Sequence, residues 1–277
     1  MRRTALLALG LLAAFTGRVA AHFNMLFPQS ASGKKGEAVT LVYHWGHPFE
    51  HQLFDAPRPV SVTVLGPDGK KAELTAGLEE VSLPAGKDKK VKGYRLRFTP
   101  AARGDFVFLL QTAPIWMEDE KEFYQDTVKV VLHVQAQKNW DAAVASEYEF
   151  LPLTRPYGLQ AGMVFQAQLR GREVEPEDPD LRKNPVRRPP FAPQPGALVE
   201  VERYNATAPA ELPPDEQITR TAKTGPLGVV TATLPDAGWW CLTASRSGGR
   251  REHEGKTYPV RQRTTFWVFV DEKPAAR

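Results

Sequence analysis

Apolar and polar residues alternate with a period of two over much of the chain. Val60-Ser61-Val62-Thr63-Val64 and Tyr94-Arg95-Leu96-Arg97-Phe98 send their side chains to opposite sides in turn, as a strand with one buried face requires. Val39 to His44 is β-rich, and Phe106–Leu110 and Val128–Val134 complete a first series. Turn formers such as Gly66-Pro67-Asp68-Gly69 and Arg103-Gly104-Asp105 stand between its members. A second series follows in Met163–Leu169, Leu198–Tyr204, Val229–Leu234, Trp239–Ala244 and Thr264–Val270. Gly225-Pro226-Leu227-Gly228 and Pro235-Asp236-Ala237-Gly238 turn the chain within it.

This pattern predicts an all-β fold of two antiparallel β-sandwich domains, of immunoglobulin or transthyretin type. The first spans residues 22–136 and the second 137–277, with Gln135–Ala145 as the linker. A proline-dense segment of mixed charge, about 173–196, reads as a long exposed loop inside the second. The second domain's aromatics (Phe165, Tyr204, Trp239, Trp240, Phe266, Trp267) read as core.

The start of the chain departs from alternation. Met1-Arg2-Arg3 leads into the apolar run Ala5–Phe15 and then Gly17-Arg18-Val19-Ala20-Ala21. A basic start, a short apolar run and small residues before a cut make residues 1–21 a cleavable signal peptide. The run is too short to span a bilayer, and no later stretch approaches about 18 apolar residues. The mature protein is therefore expected to be soluble and periplasmic, without a transmembrane segment. Cleavage after Ala21 makes His22 its first residue.

Charge narrows the partners. The formal charge of +4 includes Arg2, Arg3 and Arg18 of the leader, so the mature charge is near +1. A balance this even argues against nucleic acid as a partner. The single cysteine, Cys241, excludes an internal disulfide and, between Trp240 and Leu242, reads as a small buried hydrophobe.

The candidate chemistry lies in His44-Trp45-Gly46-His47-Pro48-Phe49-Glu50-His51, which holds three of the six histidines. Neutral imidazole is a common ligand for zinc, copper and nickel. Pro48 suits the first position of a short helical turn capped by His47, which would bring His47 and His51 to one side. On a straight strand the two would lie about 13 Å apart. Chelation between them needs the turn. The freed α-amine of His22 adds two donors, amine and Nδ1, and its reference pKa near 7.7–8.0 lets a metal displace its proton. The expected metal ligands are His22, His47 and His51, with His44, Glu50 and Glu118 as secondary candidates. Glu50 reads better as a cap or as an acceptor orienting a ring. Glu118, in the run Glu118-Asp119-Glu120, and Asp126 offer oxygen donors if their loop folds over the site, although such runs usually face solvent. The bland reading is a histidine-rich surface loop. His133, out of phase with Val130, Leu132 and Val134, reads as an exposed position outside the site.

Ala21-His22-Phe23-Asn24-Met25-Leu26-Phe27-Pro28 and Gly46-His47-Pro48-Phe49-Glu50-His51 resemble the opening of the DUF4198 family, formerly labelled NikM-like. Pro152-Leu153-Thr154-Arg155-Pro156-Tyr157-Gly158-Leu159, Val199-Glu200-Val201-Glu202-Arg203-Tyr204-Asn205 and Ala237-Gly238-Trp239-Trp240 are similar to it as well. The family includes periplasmic NikK-type components of nickel uptake. The resemblance implies an accessory to a nickel or cobalt importer, with a membrane permease as partner and His22 and the His47–His51 segment at the metal-handling positions. The proline-rich insertion and His44 depart from the family pattern.

The function expected is a non-enzymatic, periplasmic divalent-metal-binding protein that captures nickel or cobalt. Copper and zinc also fit its donors, and intrinsic affinity ranks copper above nickel, so the choice of nickel rests on the resemblance. One alternative is an adhesive or ligand-binding β-sandwich module with incidental histidines. Another is a copper enzyme whose histidine brace uses the His22 amine, its ring and one further histidine. Hydrolytic motifs such as Gly-x-Ser-x-Gly and His-Glu-x-x-His do not occur.

Overall fold

The computed structural model describes residues 22–86, 88–172 and 191–272. The expected signal peptide and residues 173–190 of the proline-rich insertion lie outside the described residues. Among the described residues strands dominate, and the helical pieces are the single turns Thr75–Gly77 and Asp215–Ile218. The fold is all-β and sandwich-like.

Each alternating segment forms a strand. Val39–His47, Ser61–Leu65, Lys90–Phe98, Gly104–Gln111 and Glu122–Val134 belong to the first half. Met163–Gly171, Leu198–Arg203, Val229–Leu234, Gly238–His253 and Lys256–Asp271 belong to the second. The last two run well past the apolar stretches that announce them. Beyond Ala244 the side chains are mostly polar, and the hairpin closes at Glu254 and Gly255 with φ of 49° and 73°. Two successive left-handed residues give a turn whose twist matches the strands it joins.

One sheet serves both halves. Leu198–Arg203, Gly238–His253, Lys256–Asp271, Glu122–Val134, Gly104–Gln111 and Ser61–Leu65 lie side by side in it. The join is parallel, with Glu122–Val134 against Lys256–Asp271 from Phe123 opposite Val260 to Val130 opposite Trp267. Alternation then feeds two cores. Val128, Val130, Leu132 and Trp267 pack with the first half, whereas Val131, Phe266, Val268 and Val270 pack with the second. This explains the unbroken apolar run Phe106-Val107-Phe108-Leu109-Leu110, because a strand buried on both faces has no polar side to show. Both cores draw residues from either side of position 136, Trp267 joining the first and Leu65, Val107, Leu109 and Val131 the second, and the shared sheet ties the halves together.

The first sheet places Phe23–Pro28, Val39–His47, Lys90–Phe98 and Glu79–Pro84 in that order, with Gln52–Phe54 on the free part of Val39–His47. Phe23–Pro28 is buried at all six positions. Its Asn24 carbonyl accepts the Trp267 indole N–H at 3.1 Å. Phe27 meets Trp267 and Tyr204, each at 4.8 Å between ring centroids, and stacks on Trp239 at 5.0 Å. The N-terminal strand thus bridges the two halves, and truncating a ring such as Phe27 would cost about 3–5 kcal/mol.

Candidate metal centre

Val39–His47 and Gln52–Phe54 form a hairpin whose loop is Pro48–His51, with His47 opposite Gln52. Gly46 makes its close approach possible. Its φ is 150°, and a Cβ there would stand 2.1 Å from the Gln52 carbonyl oxygen, so no other residue fits without moving the backbone. The turn after Pro48 is present, but it links two strands and His51 closes it at φ 51°. A left-handed closing residue ends the right-handed path that would carry His51 over His47.

Phe23 pairs with Gly46 across the sheet, so the next position outward sets His22 against His47. Their ring centroids are 4.6 Å apart, edge to face. Trp45 and Phe54 wall the pair, at 5.5 and 5.3 Å from the His22 ring. His47 Nδ1 lies 2.9 Å from Gln52 Oε1. The amide oxygen only accepts, so Nδ1 carries the proton and Nε2 keeps its lone pair. That buried Nε2 has no hydrogen-bond partner among the described residues. An imidazole held by one nitrogen with the other bare is the usual form of a metal ligand and its supporting acceptor.

A buried polar network holds His22 from behind. The Arg263 guanidinium donates to the His22 carbonyl and binds Asp126 Oδ1 at 2.8 Å. Asp126 is buried, which raises its carboxyl pKa, while the Arg263 charge and the Asn24 amide act against that rise. Tyr43 donates to the Asn24 side chain. Asp126, an oxygen-ligand candidate from sequence, is therefore the counter-ion of Arg263.

Strand alternation puts His44 on the other side from Trp45 and His47. There it faces Phe27 and Tyr204, with centroids 6.0 and 6.1 Å away. Burial, and then the charge of nearby His51, push its pKa down to about 4. His51 meets Tyr204 at 5.8 Å and donates Nδ1–H to the Asn205 carbonyl at 2.9 Å. The structure thus groups His22 with His47, and sets His44 and His51 about Tyr204. Among the described residues no group of three or more His, Cys, Asp or Glu is placed to hold one ion.

The second half clamps the histidine turn. Asn205 N–H donates to Pro48 O at 3.0 Å and its side-chain amide to Phe49 O at 2.6 Å. Glu202 accepts the Phe49 N–H at 3.3 Å and the Thr219 hydroxyl at 2.6 Å. Burial pushes the Glu202 pKa up to about 8, with Glu50 adding to the rise. Glu50 stands beside this clamp. Glu118 accepts from Trp116 and Lys121 on an exposed turn. His133 pairs with Asp105 at 2.7 Å and stacks on Tyr157 at 4.1 Å, so it is half-buried and bonded where exposure was expected. Gln52 was legible only through hairpin register. Arg263 and Asn205 lie too far along the chain to be found from sequence.

No curated protein matches the chain. Among solved structures it is similar to a DUF4785 family protein from Legionella pneumophila, at 10% identity and TM-score 0.28, over 82% of this chain and 53% of that one. It is also similar to Escherichia coli alpha-2-macroglobulin, at 12% identity and TM-score 0.24, over 91% of this chain and 20% of that one. The chain therefore spans about half of the first and a fifth of the second. The family model that describes DUF4198, a domain of unknown function, matches residues 19–175, which hold the whole histidine hairpin and more than half of the chain, and the protein belongs to that family.

Proposed function

We propose that the mature protein is a periplasmic, non-catalytic carrier of a divalent transition metal, bound by the His22 amine, the His22 ring and His47. The observation that carries this reading is the His22–His47 pair, with His47 Nδ1 tied to Gln52 and its buried Nε2 bare. A bare buried nitrogen costs about 1–3 kcal/mol unless something satisfies it. A cation does so, and the signal cut supplies the amine that completes a three-nitrogen set. Nickel or cobalt as cargo, and a membrane importer as recipient, follow from the resemblance to nickel-uptake components.

The test is calorimetric titration of untagged mature protein with Ni²⁺ and Co²⁺. His47→Ala, and one residue added before His22, should each weaken binding at least tenfold, about 1.4 kcal/mol. Unchanged affinity in both variants rejects the site.

With His51 set against Tyr204, the donors left are three nitrogens that suit copper at least as well as nickel. That favours the histidine-brace enzyme as the second reading. Copper-dependent oxygen uptake in the presence of a reductant would support it, and its absence in copper-loaded protein would reject it.

A further inference from the structure

We propose that the cleft between Arg203, Tyr204, Trp239 and Phe269 is a second binding site, which takes a small aromatic carboxylate. It goes beyond the proposed function and needs no metal.

The cleft encloses about 490 Å³, within the range of small-molecule sites. It opens where three segments meet. Arg203 ends one strand and Tyr204 follows it, Gly238 and Trp239 begin the next, and Phe269 pairs with Trp239 on the last. Its walls are held in place. Tyr204 and Trp239 both rest on Phe27, with centroids 4.8 and 5.0 Å away, and Trp239 meets Phe269 edge to face at 5.1 Å. All three rings are half-buried, so the core fixes them while part of each faces the cleft. Aromatic surfaces already fixed lose little freedom on binding and suit a flat apolar ligand.

Arg203 gives the cleft its charge. Its Nε and Nη2 donate to the Ala237 carbonyl at 3.1 and 2.9 Å, which orients the guanidinium. Of its five N–H donors three remain, and two of these run parallel along the outer edge. No carboxylate pairs with Arg203 among the described residues, whereas Arg261 and Arg263 each hold an acid. Its neighbour Glu202 lies on the opposite face of the strand, where it accepts the Phe49 N–H. A half-buried cation beside apolar walls favours an anion. Two parallel N–H groups match the two oxygens of a carboxylate. One negative charge balances the one guanidinium, while a phosphate dianion would leave charge uncompensated against the rings.

Gly238 keeps the guanidinium uncovered. A Cβ there would lie 3.7 and 3.8 Å from Arg203 Nε and Nη2, so a longer side chain would screen it. The Trp239 indole N–H also has no acceptor among the described residues, whereas those of Trp240 and Trp267 donate to the Asp236 and Asn24 carbonyls. It leaves a second donor in the wall for an oxygen of the ligand.

The experiment uses the mature protein freed of metal by a chelator, so that no acid can bind through an ion at His22 and His47. The probes are benzoate, benzamide and phenyl phosphate, followed by calorimetry and by NMR of the indole N–H signals, with that of Trp239 assigned through Trp239→Phe. Benzoate should shift the Trp239 signal before those of the other tryptophans. Benzamide keeps the ring and loses the charge, and it should bind at least tenfold more weakly. That comparison needs no variant. Arg203→Met should bring benzoate down to the level of benzamide, Arg203→Lys should retain part of the affinity, and His47→Ala should leave it unchanged. Equal affinity for benzoate and benzamide, tighter binding of phenyl phosphate, a shift confined to other indoles, or no binding of benzoate at millimolar concentration overturns the proposal. Because the protein carries no metal, the carrier reading and this one can fail separately.

Discussion

The guanidinium of Arg263 holds the carbonyl of His22, 241 residues earlier in the chain, while binding the buried Asp126 carboxylate at 2.8 Å. One side chain of the second half thus anchors the residue that leads into the N-terminal strand. The same cation completes the shared sheet, because Asp126 and Arg263 face each other across its parallel join.

Arg263→Met should therefore destabilise by about 3–5 kcal/mol, since it strands a buried carboxylate. Urea unfolding measures this. The double variant Arg263→Met with Asp126→Asn should recover part of the loss. If Arg263→Met alone unfolds at the parental urea concentration, the pair does not tie the two halves together.

Gly46→Ala should lower stability by about 3 kcal/mol or more, because the new methyl meets the Gln52 carbonyl at 2.1 Å in a backbone region that suits glycine. The loss should be local as well. Amide exchange of Gly46–Leu53 should accelerate more than that of Val128–Val134, and equal acceleration would place the hairpin in the same cooperative unit as the core.

The fold was legible wherever a strand has one wet face. Alternation located Ser61–Leu65 and Lys90–Phe98 because their outer positions are polar. It could not announce Phe23–Pro28, where every position is buried, nor the parallel join, which depends on residues more than 130 apart. The histidines themselves were visible, and so was the approach of His22 to His47, but the placement of His44 and His51 about Tyr204 was not. A helical turn and a hairpin loop read alike after Pro48, and the left-handed conformation of His51 separates them. That conformation is set by Asn205, which carries no local signal of its contact with the loop.

Two buried groups should shape stability against pH with opposite signs. Glu202, with its pKa raised to about 8, contributes stability that is present below the unfolded value near 4.5 and is lost as pH rises through 8. His44, with its pKa lowered to about 4, contributes stability that is present above the unfolded value near 6.5 and is lost as pH falls through 4. Their slopes oppose each other between about 4.5 and 6.5, and above that only Glu202 acts. The protein should lose about 2 kcal/mol between pH 6.5 and 8. Glu202→Gln should remove that alkaline loss in thermal melts, and an unchanged slope would mean that Glu202 is not its source.

Gln52 gives the sharpest test of how the first site is tuned. Its side-chain oxygen is 2.9 Å from His47 Nδ1, so it fixes both the tautomer and the tilt of the ring without touching a metal. Such supporting acceptors are worth about 10–100-fold in affinity. Gln52→Leu should weaken Ni²⁺ and Cu²⁺ binding by that factor, while Gln52 is exposed enough that unfolding should barely change. Gln52→Glu should go the other way. A carboxylate in the same place makes the imidazole more basic and favours a bound cation, so affinity should match or exceed the parent. It should also raise the pH at which metal and proton compete for His47, because the proton gains from the carboxylate as the metal does. A merely structural glutamine would make Leu and Glu equivalent and leave that competition where it was. Equal affinities and coincident pH profiles for the two variants would remove Gln52, and with it the assigned His47 tautomer, from the site.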